Sequence, residues 1–463
     1  MCGFVGRINK DKKQKVLTPE IKKALDTIIH RGPDEEGFFI KDNIGFGHRR
    51  LSIIDLTHGK QPMIFDKNNR NVVLLYNGET YNFQELRKRI IKKGLSLESY
   101  CDTEVILLMY ILYGKKSFSM LNGMYAFAIY DFDIDELILC RDRFGIKPLY
   151  YMDTNVAFSF ASEVKALKMF DDYSFNVNQE SISEYLTFQF YISEQTPFKG
   201  IFSVPASSYL IYKNGNYSVH KYYETNLDID YSISYNEAKQ NIYALLDNSI
   251  KNNTVSDVQI GSYLSGGIDS SIISSVLGIS KYENITFSGA FDISEKYDET
   301  KYAKEVSNKY KLDNLIIYPS VDDFIDSFDE ILTAMDFPSS GPGVFPQYFV
   351  SKLASENVKV VLGGQGGDEI FGGYARYFIA YFEQALKGSI EGTQDAHTHM
   401  AILSELINNL PMIKDYIPML KSFWTNGLFD EKERRYFSLI NRRTSVEYIY
   451  TEDYLKEHPN DVK

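Results

Sequence analysis

Tryptophan occurs once, cysteine three times and proline 13 times in a chain of 463 residues. Cys2, Cys101 and Cys140 are scattered, with no Cys-x-x-Cys spacing and no histidines at zinc-finger distances, which excludes a disulfide framework and a structural zinc and favours a reducing compartment. Long apolar runs are missing too. The best, Val105–Tyr113, stops at Gly114, short of the roughly 18 residues a membrane span needs. The first residues, Met-Cys-Gly-Phe-Val-Gly-Arg-Ile, lack the basic-then-apolar build of a secretory leader, so a cytoplasmic location is expected. Positive charge is in the minority: 50 Lys and Arg face 62 Asp and Glu, a net −12, which argues against broad binding to nucleic acid or to an anionic membrane. What is present is ordinary for a globular protein, 44% hydrophobic and 24% charged, and the length suggests two or three domains.

The rhythm of the chain changes part-way along. Up to about residue 165, short apolar or β-branched runs such as Val72–Tyr76, Ala126–Tyr130, Leu137–Cys140, Leu149–Tyr151 and Ala157–Phe160 read as strands. Helical stretches at Pro19–Ile29 and Asn82–Ile91 interrupt them. Strands in excess imply antiparallel sheets with helices packed outside. The pattern weakens from Asp171 to Asn236, where Tyr209–Tyr212, Lys213-Asn214-Gly215-Asn216 and Tyr217–His220 read as one hairpin on a connecting segment. From about Glu237 strand, loop and helix alternate, as in a parallel sheet with crossover helices. The divisions expected are 1–190, a connection at 191–236, and 237–463.

Leu264-Ser265-Gly266-Gly267-Ile268-Asp269-Ser270-Ser271 falls between an expected strand and an expected helix. Glycines let backbone approach an anion, and a helix start offers free N–H groups and a positive dipole end. Asp269 would repel phosphate unless a cation bridges them, which implies Mg²⁺. The loop lacks the Gly-Lys-Ser/Thr ending of a Walker A motif. It resembles the pyrophosphate loop of enzymes that cleave ATP to AMP and pyrophosphate. Gly363-Gly364-Gln365-Gly366-Gly367-Asp368-Glu369 follows another strand and supplies a second backbone-lined wall and a second carboxylate.

Cys2 follows the initiator methionine. Once exposed, an N-terminal cysteine carries its own base, because an α-amine with an ordinary pKa of roughly 7.7–8.0 can take the thiol proton. A second-position cysteine alone is weak evidence, but it does not stand alone. Gly47–Asp55, Tyr76–Asn82, Cys101–Glu104, Leu121–Ala128 and Arg141–Tyr150, with Met1–Gly6, resemble the glutaminase domain of the class II amidotransferases. With the glycine-rich loops at 264 and 363, the resemblance is to the glutamine-hydrolysing asparagine synthetases and their relatives, over residues 1 to about 380.

The resemblance implies an N-terminal α+β, Ntn-hydrolase-like αββα sandwich followed by an α/β parallel-sheet PP-loop ATP-binding domain. It implies that Cys2 attacks the glutamine side-chain amide, with Asn77 and the Gly78 amide as oxyanion hole. Arg50 would take the α-carboxylate, Glu79 and Asp102 the α-ammonium, and Leu51 and Ile53 would complete the glutamine pocket. ATP would lie on Leu264, Ser265, Gly266, Gly267, Ser270, Gly289, Gly363 and Gly364, with Mg²⁺ on Asp269 and Asp368. Aspartate would be adenylated beside Gln365, and ammonia from the first site would displace AMP through an internal conduit. A homodimer is an expectation of the same kind. His48, Cys101 and Cys140 are expected to be structural.

Two departures qualify the match. Asparagine synthetases usually carry Glu at the position of Gln365, and Gln can be neither base nor charge. The usual C-terminal segment, with a catalytic lysine and an Arg-x-Pro-Phe-Leu-Asp stretch, has no counterpart after Tyr374, although 441–454 resembles its lead-in. Alternatives are therefore amidation of another carboxylate, such as a sugar acid, or a glutaminase whose synthetase half is impaired.

Overall fold

The computed structural model describes residues 1–67, 69–230, 232–280, 285–291, 298–338, 341–391, 417–425, 427, 430–442 and 451–452. Of the 441–454 stretch, only residues 441, 442, 451 and 452 fall among them.

The N-terminal strands are β1 (Gly3–Asn9), β2 (Glu35–Lys41), β3 (Ile44–Arg50), β4 (Met63–Lys67), β5 (Arg70–Thr80), β6 (Gly123–Asp131), β7 (Glu136–Arg141), β8 (Tyr150–Asp153), β9 (Ala157–Ala161), β10 (Ile201–Ser203), β11 (Ser208–Lys213) and β12 (Asn216–Lys221). They form two six-stranded sheets, ordered β10-β8-β9-β1-β3-β2 and β12-β11-β7-β6-β5-β4. All of their pairings are antiparallel.

Alternation along the strands builds four layers, since successive side chains leave opposite faces. Val73 and Leu75 of β5 meet Phe4, Phe46, Phe158 and Phe160 of the other sheet, in the core between the sheets. Their neighbours Val72, Leu74 and Tyr76 face outward, onto the helices Phe83–Lys92 and Asp102–Tyr113. On the opposite side Val5 and Ala161 pack on Ile21, Ala24 and Leu25 of the helix Thr18–Asp26. Helix, sheet, sheet, helix is the result.

Residues 191–236 depart from the expectation of a connection. Within them β10 extends the first sheet, and the β11–β12 hairpin extends the second, pairing with β7 from Tyr209–Cys140 to Tyr212–Leu137. The sandwich therefore reaches Lys221. The β11–β12 hairpin falls where it was expected, and what the sequence left open was its place in the sheet, since β12 is exposed throughout.

Beyond the sandwich, β13 (Ile260–Tyr263), β14 (Ile285–Gly289), β15 (Asp313–Ile317) and β16 (Val360–Leu362) form a parallel sheet ordered β15-β14-β13-β16. The chain leaves β13 for β14 on one side and later returns to place β16 on the other. That reversal opens a crevice at the carboxyl ends of β13 and β16, where open α/β sheets take their ligands. Among the described residues no helix is long and apolar enough to cross a membrane.

Packing between the sheets is tight at Gly6, where an added Cβ would stand 2.0 Å from the Phe160 ring. Phe160 is fully buried, so the ring has nowhere to go. Gly6→Ala is expected to cost about 1–3 kcal/mol of stability, read from urea unfolding. A midpoint equal to that of the parent would show that the core yields there.

Candidate active site

Cys2 stands at the open end of β1, the strand between β3 and β9 in the first sheet. Its carbonyl accepts a 2.8 Å hydrogen bond from Arg31 Nε, and Arg31 is itself paired with Glu163 at 2.7 Å, both side chains buried. The thiol donates to the Leu51 carbonyl at 3.7 Å. Burial pushes the thiol pKa up, against the Leu51 bond and the nearby N-terminal charge, so the nucleophile needs a base.

One cavity of about 500 Å³ gathers Cys2, Arg50, Leu51, Ile53, Asn77, Gly78, Glu79 and Asp102 in its walls. Asn77 lies on β5 and is 1% exposed, yet neither its amide nitrogen nor its oxygen has a partner among the described residues. A buried amide left without partners costs free energy, unless a ligand supplies the partner. At Gly78 a Cβ would meet the Met124 carbonyl at 2.4 Å, so β5 and β6 press together there.

Glu79 and Asp102 put two carboxylates on this cavity. Both pKa values are raised by burial, and the Asp102 charge adds to the rise at Glu79. Asp102 accepts from the Tyr76 hydroxyl at 2.8 Å and the Thr80 N–H at 3.0 Å. Glu79 has no hydrogen-bond donor among the described residues, and burial together with the Asp102 charge pushes its pKa well up. A bound cation would relieve both. Arg50 is held by the loop that follows it: its guanidinium donates to the carbonyls of Asp55 at 2.7 Å and Ile54 at 3.3 Å, and to Glu35 at 3.2 Å.

His48 is fully buried and donates from Nε2 to the Tyr76 carbonyl at 2.9 Å, next to Asn77. Burial holds its pKa down to about 4, so it is neutral and structural. Cys101 and Cys140 are buried as well.

The second expected site forms in the crevice of the parallel sheet. Leu264, fully buried, ends β13 and donates its N–H to the Phe287 carbonyl at 2.9 Å. Ser265 and Ser270 hydroxyls meet at 3.0 Å, and the Gly267 N–H reaches Ser265 Oγ at 3.2 Å, folding the loop onto the start of the helix Ile268–Ile279. Gly266 adopts φ +91°, and an added Cβ would also strike Tyr302, so only glycine suits the turn. Gly289 ends β14 beside Val350. The two glycine-rich loops touch: a Cβ on Gly364 would lie 2.8 Å from Asp269 Cβ, and one on Gly367 2.4 Å from its carboxyl carbon.

Asp269 has its pKa raised by partial burial and by the charges of Asp368 and Glu369. The Asp269 and Asp368 carboxylates, whose like charges repel, fit a divalent ion between them. No cluster of three or more metal-ligating side chains occurs among the described residues, so phosphate oxygens and water would complete the shell. Gly363 and Gln365 line the same cavity as Cys2. Gln365 Nε2 points to Gln347 Oε1 at 3.5 Å.

Several residues around the sites had escaped notice in the sequence. Asp257 donates its N–H to the Ile53 carbonyl at 3.0 Å and accepts from the Asp55 N–H at 2.8 Å. Lys359 pairs with Asp34 at 2.8 Å, and Asp34 accepts the Ser52 N–H. These bonds join the loop of the glutamine pocket to the starts of β13 and β16. Arg31 and Lys147 also escaped. A buried arginine within His30-Arg31-Gly32-Pro33-Asp34 was the available signal, since a charge beside a rigid Gly-Pro turn is easily held inside.

A cysteine beside a chain start, an unpartnered buried amide near it and a crevice at the carboxyl ends of a parallel sheet are the arrangement expected of a glutamine amidotransferase domain followed by a synthetase domain. The matching family models agree: a glutamine amidotransferase domain over residues 1–223 and an asparagine synthase domain over 241–453, beyond the 380 where the quoted motifs stop. The chain is 37% identical over 380 residues to asparagine synthetase [glutamine-hydrolyzing] 1 of Bacillus subtilis, covering 81% of this chain and 59% of that one. It is 36% identical over 406 residues to the protein named putative asparagine synthetase [glutamine-hydrolyzing] 2 of Methanocaldococcus jannaschii, covering 82% of this chain and 77% of that one. The chain belongs to the glutamine-hydrolysing asparagine synthetase family. It spans little more than half the length of the Bacillus relative.

The neutral state of His48 gives a pH prediction. The unfolded imidazole binds its proton near the usual 6.5 and the folded one only near 4, so the unfolded state gains protons first as pH falls. Stability due to this residue is full above about 6.5 and declines toward about 4. NMR of ¹⁵N-histidine protein should show one imidazole still neutral at pH 5. Seven imidazoles all titrating near 6.5 would contradict the buried bond.

Proposed function

We propose that this chain is a glutamine-dependent asparagine synthetase, whose two reactions are joined by one cavity. The observation that carries the reading is that a single cavity has both Cys2 with the unpartnered Asn77 amide, and Gly363 with Gln365, in its walls. Free ammonia is largely protonated at pH 7 and escapes to solvent, so an enzyme that makes it in one domain for use in another needs a shared enclosed space.

In the first half, the α-amine of mature Cys2 takes the thiol proton and the sulfur attacks the glutamine amide carbon. Asn77 Nδ2 and the Gly78 N–H receive the oxyanion, the charge that exists only in the tetrahedral state. Collapse expels ammonia and leaves a thioester, which water hydrolyses to glutamate. Arg50 takes the substrate α-carboxylate and the Glu79–Asp102 pair its α-ammonium.

In the second half, ATP lies on Leu264, Ser265, Gly266, Gly267, Ser270, Gly289, Gly363 and Gly364. Mg²⁺ held by Asp269 and Asp368 would neutralise charge on the departing pyrophosphate. The aspartate side-chain carboxylate attacks the α-phosphorus, pyrophosphate leaves, and ammonia then displaces AMP to give asparagine. Gln365 supports a second reading. An uncharged side chain there suits an acceptor other than aspartate, such as a sugar acid.

The test supplies amide-¹⁵N glutamine, ATP with Mg²⁺, and aspartate, and follows products by mass. Labelled asparagine with equal pyrophosphate is expected. Glutamate without pyrophosphate would sink the aspartate assignment and turn the search to other carboxylates. Cys2→Ala should abolish glutamine use and keep synthesis from added ammonium; loss of both would contradict separate sites.

The carboxylate pair adds a pH signature. Glu79 ionises well above the usual range, and only its ionised form attracts an α-ammonium. As pH falls through that raised value, Glu79 takes a proton and the glutamine KM should rise. Glutamine binding should correspondingly release a proton, measurable by calorimetry in buffers of different ionisation heat. A KM flat down to pH 5 would remove Glu79 from substrate binding.

A further inference from the structure

Lys147 is a buried charge to which the glutaminase scheme gives no task. It lines the same cavity as Cys2, Asn77 and Glu79, and only 6% of its surface is exposed. Its backbone is locked. The Asp142 carboxylate accepts the N–H groups of Lys147 at 2.9 Å and Ile146 at 3.0 Å, while Arg141 Nε donates to the Lys147 carbonyl at 2.8 Å. The ammonium nevertheless has no ion-pair partner among the described residues. Its contact is the Met1 thioether, at 3.3 Å.

A thioether is a weak acceptor and does not compensate a buried ammonium. Arg31 approaches the same sulfur at 3.8 Å, but Arg31 is neutralised by Glu163 and also holds the Cys2 carbonyl. Two cations thus converge on the start of the chain, one balanced and one not. Removal of Met1 takes away the sulfur and leaves Lys147 facing the new N-terminus.

We propose that Lys147 is a positioning residue of the glutamine site, whose unbalanced positive charge keeps the α-amine of mature Cys2 in its neutral, proton-accepting form. The inference rests on the glutaminase reading above. A fixed cation disfavours a second cation beside it, and the effect is strong where water is excluded. The α-amine of Met1, in the same enclosure, is pushed down to about 6, chiefly by burial, with Arg31 and Lys147 adding to it and Cys2 and Glu79 opposing. Burial and the Arg31 charge push the Lys147 pKa down, while Glu79, Asp142 and Cys2 hold it up. Asp142 is committed to backbone donors, so Glu79 is the carboxylate left to balance both the lysine and an incoming substrate ammonium.

The experiment compares Met1-processed parent, Lys147→Met and Lys147→Arg. Two pH profiles are measured: kcat/KM for glutamine hydrolysis, and the rate of Cys2 alkylation by iodoacetamide, located by peptide mass. In Lys147→Met the acid limb of both should move up by about one pH unit, a roughly tenfold loss on that limb. Lys147→Arg should stay on the parent limb. A Lys147→Met profile lowered uniformly with its limb unmoved would reduce the residue to packing and overturn the proposal, as would equal shifts in both variants. Should the parent hydrolyse no glutamine, the glutaminase reading fails, and the alkylation profile still decides the lysine's role.

Discussion

The bond from the Arg31 guanidinium to the Cys2 carbonyl anchors Cys2, and the walls of the cavity around it are laid out from that point. A chain terminus is normally loose, because few contacts hold it. Here Arg31 holds Cys2, Glu163 holds Arg31, and Lys165 pairs with Glu163 at 2.7 Å and with Asp336 at 3.4 Å. Asp336 belongs to the second domain and also accepts the N–H groups of Val164 and Lys165. The chain of contacts thus runs from the nucleophile to the neighbouring domain. Buried ion pairs add little net stability, but losing one partner leaves an unpaired buried charge, so they fix geometry more than they strengthen the fold.

That geometry is set before substrate arrives. Asn77 keeps an amide without partners inside the sandwich, and Glu79 and Asp102 keep two carboxylates close together in a dry place. Each arrangement costs free energy in the empty protein. Each cost would be relieved by a ligand of matching chemistry: a hydrogen-bonding group at the amide, a cation at the paired acids. Preorganisation of this kind needs a rigid scaffold, which the core between the sheets provides through Phe4, Phe46, Phe158 and Phe160.

Much of this was legible in the sequence. Unbroken apolar runs at Val72–Tyr76 and Ala126–Tyr130 marked strands, and the change of rhythm near Glu237 marked the parallel sheet. The hairpin at 209–220 was read as well, whereas the three-residue β10 was not, nor was the pairing of β11 with β7. The glutamine-pocket residues that lie in recognisable stretches were nameable one by one, as were the two glycine-rich loops. The second loop was expected beside the first, and the pairing of β16 with β13 across a long sequence separation puts it there. Arg31 and Lys147 were given no role from the sequence, because their burial appears only in the fold.

The bonds of Asp257 and Lys359 to the 51–59 loop and Asp34 have a consequence for how the halves communicate. Lys359 immediately precedes β16, and the Gly363–Asp368 loop immediately follows it. Three strand residues span roughly 10 Å and are stiff along their length. The rim of one chamber and the floor of the other are thus opposite ends of a single short rod. Whatever tilts one end tilts the other, with no hinge between them to absorb the motion.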